Sequence, residues 1–144
     1  MASFNKFNAF VQGLGTKDMD LTVGQDTLKV ALLDTVPTAT MAGYADLLGE
    51  IDDTDNGYTA GGTAVDNTDY TNTSGTSKLV GDDVVFTQSG ANPMGPFQYV
   101  VLYDDSAAGK DLIGWWNHGS AVTLVDGETF TVDFSAVNGI LTIA

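Results

Sequence analysis

Apolar positions first recur along the chain with helical spacing. Phe4, Phe7, Phe10, Val11 and Leu14 share one side of a helix at about 100° per residue, and Asn5, Lys6, Asn8 and Gln12 share the other. The pattern predicts an N-terminal helical segment over residues 1–15, with Ser3 as its N-cap and Gly13 and Gly15 at its end. Beyond it the period changes to that of strands. "TLKVALL" (27–33) sets Leu28, Val30 and Leu32 on one face. "ADLLGEI" (45–51) is readable as a short helix and "VVF" (84–86) as a short strand. "FQYVVLYDD" (97–105) is apolar on both faces, with Phe97, Tyr99, Val101 and Tyr103 on one and Val100 and Leu102 on the other. That is the signature of a central strand covered on both sides. "LIGWWNH" (112–118) reads as the next strand, ending near His118.

The last quarter carries turn chemistry. In "VTLVDGETFTVDF", Asp126-Gly127 separates two apolar runs. Asp-Gly tolerates the positive φ angles of a type I′ hairpin turn. Phe130, Val132 and Phe134 then alternate with Thr129, Thr131 and Asp133, predicting one buried and one wet face. Asn138-Gly139 leads into "ILTI", so the reading is a three-strand meander. Residues 52–77 are rich in Thr, Asp, Asn and Gly. They read as a long polar surface excursion with one strand near "YTAGGTAV". The fold class expected is mainly β: an antiparallel β-sandwich or barrel-like domain with one N-terminal α-helix, formed by 1–144 as a single domain.

Charge narrows the functional classes. Nineteen acidic residues face five basic ones, all lysine, for a net charge of −14. Nucleic acid and anionic membrane surfaces need clustered positive charge, so neither is an expected partner. The acids serve solubility and mutual repulsion. There is no cysteine, hence no disulfide framework. The N-terminal residues lack a charged segment followed by an apolar run, so no signal peptide is expected. The longest apolar runs are too short to span a bilayer.

Candidate chemistry is sparse. Asp52, Asp53 and Asp55 crowd Asn56-Gly57 and are weak calcium candidates. With Gly57 at the sixth position of an EF-hand loop, the twelfth is Thr63, where a bidentate glutamate is required. The turn reading is favoured, since the same device recurs at 126–127 and 138–139. His118 is the only imidazole, too few for a zinc site without several carboxylates. No serine sits in a G-x-S-x-G elbow, and the phosphate-loop pattern is absent. Some carboxylate pair is inevitable among so many acids and points to no particular reaction. No cofactor and no enzymatic activity are expected. Trp115 and Trp116 point to opposite faces of their strand, so one could stack on a sugar or anchor an interface.

Ordered motifs then suggest a family. "DTLKVALLDTVPTAT", "DNGYTAGGTAV", "GPFQYVVLYDDSAAGKDLIGWW" and "LVDGETFTVDFSAVNGILTIA" resemble, in that order, small virion structural proteins of tailed bacteriophages and prophages. The loop "TDYTNTSGTSKLVGDD" departs from the pattern. The resemblance implies a capsid decoration, or cement, protein. Such a protein would be a homotrimer on the exterior of the head, bound to the major capsid protein and assembled in the bacterial cytoplasm. Phe4, Phe7, Phe10, Trp115, Trp116 and the 52–77 segment are the candidate contacts. A tail or head–tail joining protein is the nearer alternative, and a carbohydrate-binding module the farther one.

Overall fold

The computed structural model describes residues 2–144. The chain is mainly β, in three antiparallel sheets with one helix. The first sheet has the order β1 (Asn5–Lys6), β8 (Leu112–Leu124), β7 (Met94–Asp104), β2 (Leu28–Leu33), β3 (Thr63–Val65). The second has the order β10 (Leu141–Ile143), β5 (Thr76–Gly81), β4 (Asn67–Thr73). The third pairs β6 (Val84–Thr87) with β9 (Thr129–Val132).

The five-stranded sheet is buried on both faces, which explains the near-continuous apolar runs of β2 and β7. Val30, Leu32, Val100 and Leu102 face the larger core, where Leu79, Val84, Phe86, Val132 and Leu141 of the two smaller sheets close over them. Ala31, Leu33, Val101, Tyr103 and Leu112 face a smaller core covered by Met41, Tyr44 and Leu47. Tyr44 begins a single 3-10 turn, Tyr44–Asp46, which is all the helix that "ADLLGEI" forms.

Phe97 departs from the predicted alternation and joins the larger core. Between Phe97↔Val122 and Tyr99↔Asn117 two steps on β7 oppose five on β8. This bulge reverses the phase of Phe97, and a second shift between Met94 and Phe97 returns Met94 to the larger core. β8 therefore continues well past His118, bending where Gly119 adopts φ +94°.

The N-terminus also differs from its periodicity. Asn5 and Lys6 are extended and pair with Trp115 and Gly114. Helix α1 spans only Asn8–Thr16, with Phe7 rather than Ser3 as N-cap. Gly13 and Gly15 lie inside the helix, and Lys17 ends it at φ 63°. Phe4 and Phe7 thus fall on opposite faces of the sheet. Phe4 packs on Trp116 at 5.4 Å and Phe7 on Trp115 at 4.5 Å between ring centroids.

The expected C-terminal meander does not form. Asp126 and Gly127 have φ 52° and 80°, and Glu128 N–H donates to Val125 O at 3.0 Å, so the tight turn is present. Its two arms belong to different sheets: β8 stays with β7, while β9 pairs with β6 and β10 with β5. The alternation within β9 holds, with Val132 and Phe134 buried and Thr129, Thr131 and Asp133 exposed. The 52–77 segment holds more order than one strand. β3 borders β2, and β4 and β5 form a hairpin turned by Ser74 and Gly75, both at positive φ.

Candidate functional site

Beside the β8 bulge, β9 of the two-stranded sheet lies over the five-stranded sheet. Asn117 Oδ1 accepts from Gly119 N–H at 2.7 Å and from Gln98 Nε2 at 3.0 Å, fixing the bend. His118 projects outward and meets the edge of Phe130 at 5.5 Å. Between β8 and β9 lies a cleft of about 150 Å³, floored by Val100, Trp116, Phe134 and Ile140 and edged by His118 and Asp133. Its walls are apolar and its rim carries an acid, which suits an apolar side chain presented beside a cation. Among the described residues no serine or threonine hydroxyl is hydrogen-bonded to His118, so no nucleophile–base pair is assembled there. The sequence pattern does not show this cleft, because it reads β8 and β9 as paired hairpin arms whereas the fold assigns them to different sheets.

The predicted contact residues are used by the fold itself. Phe7 is 0% exposed, Phe10 4% and Trp116 8%, while Phe4 is half-buried against Trp116 and Trp115 against Phe7. The two tryptophans do lie on opposite faces, one in each core cluster. The exposed apolar side of α1 is Val11.

The calcium candidates do not converge. Asp52 Oδ1 accepts from Thr54 N–H at 2.7 Å, Asp53 Oδ2 from Ala60 N–H at 3.4 Å, and Asp55 Oδ2 from Ala91 N–H at 3.1 Å. The Thr54 side chain and then its N–H hold the Asp52 carboxyl below its ordinary range. Asn56, expected in a solvated turn, is buried. Its Nδ2 donates to Asp52 O at 2.6 Å, and its Oδ1 accepts from Tyr58 N–H at 2.9 Å. Among the described residues no three His, Asp or Glu side chains are grouped to hold a metal ion.

A polar knot replaces that site. Glu50 accepts from the hydroxyls of Tyr44 and Tyr58, the latter at 2.7 Å, and from Gly61 N–H at 2.6 Å. Tyr58 OH also accepts from Leu32 N–H at 3.1 Å, and Tyr103 OH donates to Gly61 O at 2.6 Å. Burial first, and Glu50 after it, push the Tyr44 and Tyr58 hydroxyls well above their ordinary range, so both stay protonated donors. The knot pins 50–62 to β2. Tyr58→Phe is expected to cost about 1–3 kcal/mol by leaving the buried Leu32 N–H without an acceptor. Urea denaturation checks this, and an unchanged midpoint would mean that water substitutes for the hydroxyl.

Basic charge is too scarce to soften the surface. Two of the five lysines, Lys29 and Lys110, share Asp105, at 2.9 and 2.5 Å. Together they hold the Asp105 carboxyl below its ordinary range, Lys110 contributing more. Among the described residues no helix is long and apolar enough to cross a membrane. No protein-family model, curated protein or solved structure matches the chain.

Proposed function

We propose that the protein is a non-enzymatic structural component of a tailed-phage virion, a decoration protein that binds the outer surface of the head and bridges capsid subunits. The observation that carries this reading is the ordered set of motifs along the chain. "TLKVALL" is β2 with the residue before it, "YVVLYD" lies in β7, "LIGWW" opens β8 and "TFTV" is β9. The resemblance therefore takes in strands that define the sheets together with the 55–62 turn and the chain leading into β10.

The rest of the molecule is compatible in physical terms. A rigid sheet covered on both faces transmits load without unfolding. An interface completed only on an intact shell stabilises that shell by mass action, and a homotrimer multiplies weak contacts. The contact surfaces assigned are the β8–β9 cleft and the polar β4–β5 hairpin, in place of the buried phenylalanines. A surface at −14 favours a capsid patch rich in Lys and Arg, so attachment should weaken as salt rises.

The test is quantitative mass spectrometry of the purified virion that carries the protein, scaled to its major capsid protein. A copy number comparable with the capsid protein is expected. A handful of copies would replace the decoration role by a tail or joining role, and absence from the particle would end the virion reading.

A further inference from the structure

Asp104 closes β7 with its side chain 0% exposed, opposite Leu28 of β2. Its Oδ1 accepts from the N–H groups of Ser106 at 2.8 Å and Ala107 at 3.2 Å. Its Oδ2 is shut off from solvent and meets no donor. The group within hydrogen-bonding reach is another carboxyl, that of Asp26. Asp26 is half-buried, and its Oδ2 accepts from Asp20 N–H at 2.5 Å. Two groups that only accept when ionised thus face each other, one of them wholly shut off from water. That arrangement is stable only with something positive between them.

The surroundings limit what that can be. On the loop side stand Asp18, Asp20 and Asp26. Lys29 on β2 and Lys110 on the 105–111 turn are both committed to Asp105. Asp111 is the remaining acid of that turn, and its backbone oxygen accepts from Asp104 N–H at 2.9 Å. A calcium or magnesium ion needs six or more oxygens, and among the described residues no third acidic ligand joins the pair. A proton needs only the two oxygens already in place.

We propose that Asp104 keeps a proton on Oδ2 and donates it to the Asp26 carboxyl, and that this proton fastens the 20–27 stretch to the ends of β2 and β7, so that the stretch loosens as pH rises toward neutrality. The rest of the polar attachment is light, while Met19 and Leu21 root the start of the loop in the larger core. Thr27 N–H donates to Ser106 Oγ at 2.8 Å, Asp105 N–H to Thr27 O at 2.8 Å, and Asn67 Nδ2 to Leu21 O at 3.3 Å. Gly24 to Thr27 also wall an open depression against Ala64 to Asn67, so the loop borders solvent on its far side. Burial first, and the Asp26 carboxyl second, push Asp104 up to about 6. A folded pKa raised above the unfolded 3.8 means stabilisation that is complete below about 4 and lost as pH passes about 6.

The test is hydrogen exchange of the amides of residues 20–27, 106 and 107 between pH 5 and 7, each divided by its intrinsic rate. Protection in the natural chain is expected to fall about tenfold across that range. In Asp104→Asn the new Nδ2 donates permanently to Asp26, so protection is expected to stay high and flat. Asp26→Asn provides the same donor from the other side and guards against one variant misfolding. A flat profile in the natural chain overturns the proposal. So does an equal slope in both variants, which would trace the effect to the general acidity of the surface. Protection at pH 7 that chelators abolish and calcium restores would make the fastener a metal ion and overturn it as well.

Discussion

Gly62→Ala is expected to unfold the protein or leave it barely folded. Gly62 sits at φ +76°, where an L side chain costs about 1–2 kcal/mol. Strain is the smaller part. A Cβ at this position would overlap the carbonyl oxygen of Val30 and lie 2.6 Å from its carbon and 2.8 Å from the Cα of Ala31. These are backbone atoms of β2, which is hydrogen-bonded to β7 along its whole length. Neither side of the contact can yield without breaking a ladder. We expect a loss of about 4 kcal/mol or more, a large fraction of the 5–15 kcal/mol typical of a domain. The melting temperature should fall by roughly 10 °C or more. Gly75→Ala separates strain from collision: it has φ +89° but nothing within 4 Å of its would-be Cβ. It should cost only about 1 kcal/mol. Equal effects in the two variants would show that the approach of 62 to β2 is not tight in solution.

Gly62 belongs to "YTAGGTAV", where the paired glycines already signalled an unusual backbone. Its reason, a close crossing over β2, depends on a partner more than thirty residues away. The same division runs through the chain. β2 and β7 were legible because a strand buried on both faces must be apolar at every position. The turn at 126–127 was legible because Asp-Gly needs no distant partner to choose its φ angles. Which strands it joins was not legible, since β9 finds β6 through "VVF", a run too short to announce a pairing. Phe4 and Phe7 misled for a related reason. A spacing of three puts two residues on one side of a helix but on opposite sides of a strand, and here both sides of the sheet are buried. The β4–β5 hairpin offers the core little beyond Tyr70 and Leu79, so alternation was faint and only its threonines hinted at strand. The Asp26–Asp104 contact was hidden inside "YVVLYDD" because burial of an acid is decided by what folds over it.

Phe7→Ala is expected to destabilise the fold by about 3–5 kcal/mol, the range for emptying a buried phenylalanine site. Phe7 is 0% exposed and stacks obliquely on Trp115 at 4.5 Å, and its N–H donates to Ile113 O at 3.2 Å. It joins the end of β1 to the start of α1, so the hole left behind lies where the N-terminal segment is tied to the sheet. Thermal melting would read a drop of roughly 10 °C. Val11→Asp is the informative partner on the same helix. Val11 is 54% exposed, and its replacement should leave the melting temperature within a degree or two. Under the proposed decoration role, head binding by each variant then separates packing from docking. If Phe7→Ala melts normally yet no longer binds heads, the segment is an anchor and its burial in the fold is not maintained in solution. If Val11→Asp alone loses binding, the outer side of α1 touches the shell and the assignment of contact to the β8–β9 cleft gives way. The outcome expected from the packing is a Phe7 variant that is unstable and a Val11 variant that folds and binds, because the aromatic side of this segment is already spent on the sheet.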